Sequence, residues 1–322
     1  MPVRIATPDL VTNSYFPALA AQELGLYGEE GLDAHVELLP SLDAVNALRD
    51  GAVDFVAGGA HTTLLAFPRW RGAKLVVTLS QGTPWLLVVR ADLPARRGDI
   101  GAVKGLRIGA APGPDRAFLR LLAEVGIDPA RDGITIAPVP GALDPGASFG
   151  VVAANALERR LVDGFWANAL GSETAVRRGV GKVIADVRRG DGPPAAGQYT
   201  FAALSTTEAL IAREPERVAA AVRAIVRAQR LLRKEPARAS EVGRRRFPAA
   251  AAEIIAPIVE RDLPFYDPVV REAAVAAMNG FAQAIGLLAT PVAYDEVVAT
   301  RFRALWSPTS PRASGQSPCD SC

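Results

Sequence analysis

The sequence predicts an α/β protein of two similar halves with mainly parallel strands, and three observations carry that prediction. Short apolar runs alternate with amphipathic stretches from the first residues, the pattern of strands joined by crossover helices. That alternation breaks at a polar, basic segment, "ADLPARRGDIGAVKG" (91–105), and then starts again. The stretch "ALRDGAVDFVAGG" (47–59) has a counterpart in "ALERRLVDGFWAN" (156–168), each a helix end, a turn with glycine or aspartate, and a strand. At 322 residues the chain is long enough for two domains with a core each.

The elements follow in order. "VRIAT" (3–7) is a strand, and "FPALAAQELGL" (16–26) is a helix with Phe16, Leu19, Ala20 and Leu24 along one face. Gly25 and Gly28 end that helix and let the backbone turn. "AHVELLP" (34–40) and "VDFVA" (53–57) are strands, with the helix "LDAVNALRD" (42–50) between them and Ser41 placed to cap it. "GGAHTTLLAF" (58–67) opens a further helix, and "KLVVTLS" (74–80) and "WLLVVR" (85–90) are two more strands. In the second half "LRIGAA" (106–111) is a strand, followed by the helix "PGPDRAFLRLLAEVG" (112–126), begun by prolines and ended by Gly126. "ITIAPVP" (134–140) and "KVIADVR" (182–188) complete this half. Beyond "QYTFAALSTTEAL" (198–210) the chain turns helical, with Val218, Val222, Ile225, Val226 and Gln229 on one face of a long amphipathic helix. This last third has too few strands for a domain of its own and is expected to pack on the first half.

Composition excludes several classes. A net charge of +2 gives no field for nucleic acid. No apolar run reaches the roughly 20 residues that cross a bilayer. The start, "MPVRIATPDL", lacks the basic and apolar regions of a secretory signal. Both cysteines, Cys319 and Cys322, fall in "SPCDSC" after a Ser/Pro-rich run, so residues 306–322 read as a disordered tail. Two thiolates alone are half a zinc site.

In open α/β sheets, ligands bind beyond the carboxyl ends of strands, where helix N-termini present free N–H groups. After the first strand that rule selects Asp9, Thr12, Asn13, Ser14 and Tyr15. It then selects Ser41, the group Gly59, Ala60, His61 and Thr62, and the turn with Gln81, Thr83 and Trp85. In the second half it selects Gly113, Asp115 and Arg116, then Trp166 and Asn168. Glycines let backbone approach a ligand, and His61 and the threonines offer hydrogen bonds. Arg116 suits a bidentate contact to a carboxylate or sulfonate. Tyr15, Trp85, Phe165 and Trp166 offer flat apolar area for a ring. The expected ligand is a small organic anion or a planar heteroaromatic molecule.

Each position also has a structural reading. Ser14, Ser41 and Thr62 fit helix caps, worth roughly 1 kcal/mol each. His61 fits a buried histidine bonded to backbone, Trp85 and Trp166 fit core, and Asp115 with Arg116 fits an internal ion pair. His35 reads as surface and Asp191 as loop. No metal site is expected, because His35 and His61 are far apart in sequence and no carboxylates cluster near His61. No catalytic residue and no cofactor is assigned.

The order "ATPDLVTNSYFPALAAQELGLYGEEGLDAHVELL" (6–39), "ALRDGAVDFVAGGAH" (47–61), "VKGLRIGAAPG" (103–113) and "EPERVAAAVRAIVRAQ" (214–229) resembles the solute-binding proteins of ABC importers. The branch is the one with alkanesulfonate-, taurine-, nitrate- and thiamine-pyrimidine-precursor-binding proteins, and the likeness spans about residues 3–290. It implies a bilobed type II periplasmic-binding-protein fold with two crossover strands, "LLVVR" (86–90) and "YTFAAL" (199–204). Lobe 1 would be residues 1–88 and 202–305, and lobe 2 residues 89–201. It also implies a monomer that captures a small-molecule ligand and delivers it to ABC permease subunits, with no nucleic acid as partner. Periplasmic placement then needs a signal this chain does not carry, and a native start at Met1 would make the protein cytoplasmic. The alternative is a cytosolic enzyme on the same scaffold, desulfinase-, decarboxylase- or pyrimidine-synthase-like, with His61 as general base. The desulfinase of that neighbourhood has a cleft cysteine, whereas the first loop here, "TNSYFP" (12–17), carries Ser14.

Overall fold

The computed structural model describes residues 2–144 and 146–307. Cys319, Cys322 and most of the segment read as a tail lie outside the described residues.

The first half runs β1 (Val3–Thr7), α1 (Phe16–Glu23), α2 (Leu26–Glu29), β2 (Ala34–Leu38), α3 (Ser41–Arg49), β3 (Phe55–Gly59) and β4 (Ala73–Ser80). The second runs β5 (Trp85–Arg90), β6 (Arg107–Ala110), α4 (Pro114–Glu124), β7 (Thr135–Ala137), α5 (Phe149–Glu158), β8 (Gly164–Asn168), α6 (Ala169–Arg177) and β9 (Gly181–Asp186). β10 (Ala202–Thr207) returns to the first half. α7 (Glu208–Arg213), α8 (Pro215–Lys234), α9 (Arg238–Arg246), α10 (Ala249–Ala252), α11 (Ile255–Asp262), α12 (Glu272–Ala284) and α13 (Tyr294–Val297) follow it.

The strands form two five-stranded sheets, ordered β2-β1-β3-β10-β4 and β7-β6-β8-β5-β9. In each, four strands share one direction, and the fourth in order runs antiparallel to both of its neighbours. That fourth strand, β10 or β5, is the one the chain makes on arriving from the other sheet. The fold is therefore the α/β, two-lobed arrangement that the sequence predicts. Trp85–Arg90 pairs along its length with β8 and β9, so the chain changes sheets at residues 81–84 and again at 187–201. A division at residue 88 falls inside β5.

The two crossings touch. Thr83 N–H donates to the Gly197 carbonyl at 2.9 Å. Gly82, at φ +70°, leaves no room beside it, since a Cβ there would lie 3.0 Å from both the Gly197 oxygen and Arg188 Cγ.

β4 is an edge strand, and the helical third covers it. Gln229 Nε2, on the otherwise apolar face of α8, donates to the carbonyls of Thr78 and Leu79 at 2.9 Å each. Trp306 Nε1 donates to the Val76 carbonyl at 2.9 Å, and Ala299 N–H to that of Leu75. Covering unpaired edge groups removes a template for aggregation. Val218, Val222, Ile225 and Val226 are buried in the largest apolar cluster, with β1, β3, β4 and α1. The helical third thus packs on the first half, as its composition requires. Trp306 is 4% exposed, so the packed chain extends past residue 305, where the tail was expected to start.

Two local expectations change. Residues 60–65 form a buried 3-10 turn instead of an α-helix, because the chain tightens directly off β3. α3 begins at Ser41 itself with Pro40 at the cap position, so the Ser41 side chain makes no cap bond.

Candidate functional site

The 3-10 turn after β3 carries His61 into the interior, where the residue is 2% exposed. Its Nδ1 lies 2.9 Å from Thr200 Oγ1, at the second crossing, and its Nε2 has no protein partner. The ring meets Trp85 edge-on, with centroids 6.2 Å apart, and Phe281 of α12 at 5.4 Å. Trp85 opens β5 and tilts against Trp166 of β8 at 6.3 Å. Trp166 in turn stacks on Phe118 of α4 at 5.5 Å, and Tyr199 stacks on Phe281 at 4.9 Å. A continuous aromatic series thus runs from the second crossing through His61 into the second lobe.

Buried polar atoms punctuate this region. His61 Nε2 and Trp166 Nε1, on this series, are enclosed and lack a protein partner, as do Ser14 Oγ in the loop after β1 and Thr83 Oγ1 at the first crossing. A buried donor or acceptor of this kind is satisfied by an ordered water or by a ligand. Burial, and then the nearby charge of Arg116, pulls the His61 imidazole down to about 4. It is neutral at physiological pH, with one ring nitrogen a donor and the other an acceptor.

A second focus lies at the end of β1. Asp9 is 8% exposed and its Oδ1 accepts the Val11 N–H at 2.8 Å. Its Oδ2 accepts from two residues of the other lobe, Ser148 Oγ at 3.2 Å and Asn168 Nδ2 at 3.3 Å. Ser148 and Asn168 stand at the N-termini of α5 and α6. Those termini are held together by Gly150 and Gly171, where a Cβ on Gly171 would lie 2.6 Å from Gly150 Cα. No cationic side chain pairs with Asp9 among the described residues, and burial pushes its carboxyl up to about 7.

The sequence-selected residues separate clearly. His61, Trp85 and Trp166 come together. Ser14 is buried with a free hydroxyl and does not cap α1, whose cap position is Tyr15 and has no side-chain bond. The Thr62 hydroxyl donates to the Gly59 carbonyl at 2.7 Å, and Ala60 N–H to that of Phe201 at 2.8 Å. Tyr15 is buried, and the Asp9 charge helps raise its phenol far above its ordinary range. Asn13 Nδ2 donates to Asp262 at 2.6 Å and its main-chain carbonyl accepts from Tyr266, while its Oδ1 is enclosed without a protein partner. Gln81 faces elsewhere, its Nε2 donating to the carbonyls of Asp267 and Val269.

In the second lobe, Asp115 Oδ1 accepts the N–H groups of Gly113 and Arg116, at 2.8 Å each. It sits in the first turn of α4 and spends its Oδ1 on these main-chain groups rather than on the Arg116 guanidinium. Asn168 Oδ1 caps α6 through Leu170 and Gly171. Arg116 is exposed and lines a cavity of about 310 Å³ with Leu119, Arg120 and Ile285. His35 is exposed beside Asp33, and Asp191 sits in a loop, accepting from Asp186 N–H and Arg97.

Sequence reasoning missed Ser148, Thr200, Phe281, Arg188 and Asp262. Ser148 precedes a helix and was open to the capping rule. The others meet the site only through the chain's long return.

A family model described as NMT1/THI5 like matches residues 12–239, well over half of the chain. The chain belongs to the NMT1/THI5-like family. Solved structures of low identity share the fold of this NMT1/THI5-like chain. The alkanesulfonate-binding protein SsuA from Xanthomonas axonopodis, bound to MOPS, is 17% identical at a TM-score of 0.67, over 92% of this chain and 97% of that one. The periplasmic nitrate-binding protein NrtA from Synechocystis is 14% identical at 0.70, over 94% and 88%. The desulfurization enzyme DszB, in complex with biphenyl-2-sulfinic acid, is 18% identical at 0.64, over 94% and 98%. A search of curated proteins gives no match. Among the described residues, no helix is long and apolar enough to cross a membrane.

Proposed function

We propose that this NMT1/THI5-like protein is the solute-binding component of an ABC importer. It captures a small, flat ligand between its lobes, on the outer side of the membrane, and delivers it as a monomer to permease subunits. The observation that carries this reading is the pair of enclosed, unpartnered atoms, Trp166 Nε1 and His61 Nε2, on an aromatic series that spans both lobes. A planar heteroaromatic ring suits such a place, because it gains apolar contact and satisfies a few fixed donors and acceptors. A small inorganic anion suits it less. The N-termini of α4 and α6 already have their N–H groups taken by Asp115 and Asn168. The likeness to binding proteins for alkanesulfonate and nitrate supports the transport role, and the ligand here differs from theirs in carrying less charge.

An enzymatic role has less behind it. A base held down to about 4 is a weak proton acceptor at neutral pH. Among the described residues, the His61 ring has Thr200, Trp85 and Phe281 as its company, and none of these is a thiol.

Native mass spectrometry of the purified protein, followed by calorimetry with whatever copurifies and with nitrate, taurine and aminopyrimidines, tests the proposal. One-to-one binding of an unaltered heteroaromatic compound is the expected result. Chemical turnover of that compound, abolished by His61→Ala, would overturn it.

A further inference from the structure

We propose that Asp9 is a positioning residue that clasps the two lobes, and that closing the lobes takes up one proton on its carboxyl group. The inference rests on the reading of the protein as a lobe-closing binder.

Its basis is the contact itself. Asp9 belongs to the first lobe, yet both bonds to its Oδ2 come from the second, from Ser148 and Asn168. Those donors belong to separate helices, and they reach one oxygen only because Gly150 and Gly171 bring the starts of α5 and α6 into contact. Opening the lobes separates Asp9 from both and returns it to water. The groups around it are neutral: Ser148 on α5, Asn168 on α6 and the Val11 amide on its own loop. Tyr15, at the entry to α1, is the titratable neighbour that senses the Asp9 charge, and it stays protonated throughout the working range of pH.

A carboxylate moved from water to a buried place with no cation binds a proton more tightly. The two helix starts offset part of that burial cost, since their positive ends favour a charged carboxylate. Burial remains the larger effect and leaves the carboxyl at about 7 in the closed protein. Below that pH, closure is favoured by up to about tenfold per pH unit, and above it the help disappears. His61 acts in the opposite sense, because its burial favours the neutral ring. A useful experiment must cancel its contribution.

The test uses the full chain without ligand, with spin labels at Leu42→Cys and Leu161→Cys, exposed positions on opposite lobes, and with Cys319 and Cys322 changed to serine. Interlobe distance distributions give a closure constant at each pH for the protein with Asp9 and for the Asp9→Asn variant. Asparagine is the neutral isostere, and His61 contributes equally to both. The ratio of the two constants is expected to fall by about thirtyfold between pH 5.5 and 8. A ratio that is flat or rises with pH, or a protein with Asp9 that shows no closed population, would overturn the proposal. Because no ligand is involved, failure of the transport reading leaves this result intact, and the reverse holds too.

Discussion

Arg188 and Asp262 form an ion pair of 2.7 Å in which the two side chains are 2% and 1% exposed. Arg188 lies on the second crossing, just after β9, and Asp262 ends α11 in the helical third. The pair is extended by Ser80 Oγ, which accepts from Arg188 at 3.0 Å, and by Asn13, which donates to Asp262. The Arg188 guanidinium also lies 3.9 Å over the Phe265 ring. One buried network therefore ties the crossing, the end of β4 and the first loop of the site to a single carboxylate.

Removing Arg188 takes away the shortest of the Asp262 ion pairs and leaves that enclosed carboxylate with Arg189 at 3.2 Å. Arg188→Ala is expected to cost about 3–5 kcal/mol in denaturant unfolding, as breaking buried pairs does. The double variant Arg188→Met with Asp262→Leu should lose less than the sum of the two single changes. Strict additivity would show that the charges do not sense each other.

Asp9 and His61 set opposing pH responses of stability. The His61 ring, lowered from its ordinary 6.5 to about 4, contributes stability that is present above 6.5 and lost as pH falls toward 4. The Asp9 carboxyl, raised from 3.8 to about 7, contributes stability that is present at low pH and lost as pH rises toward 7. Between pH 4.5 and 6.5 the two nearly cancel. Asp9→Asn should expose the His61 slope, up to about 1.4 kcal/mol per pH unit. Chemical denaturation at several pH values reads it directly, and a variant with the same pH profile as the parent would refute the assignment.

Trp166 is 1% exposed and packed between Trp85 and Phe118, so it serves the core, and in the proposed function its free Nε1 also serves the ligand. Trp166→Ala should cost about 3–5 kcal/mol. Trp166→Phe keeps most of the packing but removes the free Nε1 donor. It should therefore weaken ligand binding with a much smaller change in melting temperature. An unaltered affinity would place Nε1 outside the site.

Gly171→Ala tests the convergence of α5 and α6. The added methyl would meet Gly150 backbone atoms at 2.6–2.8 Å, which neither helix can relieve by rotating a side chain. A loss of about 1–3 kcal/mol is expected. Asn168 and Ser148 would then no longer reach Asp9 together, so ligand affinity should fall with it. Full stability in this variant would mean the helices sit farther apart than described.

Much of the fold was legible because the strands are short, apolar and bounded by glycine and proline, as "VRIAT" and "WLLVVR" are. The start of α4 was legible in the same way, through its prolines. The 3-10 geometry of residues 60–65 was not, since an apolar run after a strand has no periodicity that separates it from an α-helix. The site was half legible. Ends of parallel strands pointed to His61 and Trp166, but nothing local marks Phe281 or Asp262 as their company. Gln81 and Asp115 have something in common that position does not show: each obeys the rule yet spends polar atoms on nearby main-chain groups. Position along a strand says where a side chain begins, and hydrogen bonding decides where it ends.

The second sheet is made wholly from residues 85–186, and its first and last strands, β5 and β9, lie side by side with Leu86 opposite Asp186. That stretch is thus a cassette whose two ends emerge together, inserted into a host formed by everything before and after it. Splicing it into a relative, or accepting a relative's in exchange, requires only two adjacent cuts. Half of the molecule becomes portable, and new pairings of halves become a practical route to two-lobed chains with an altered seam.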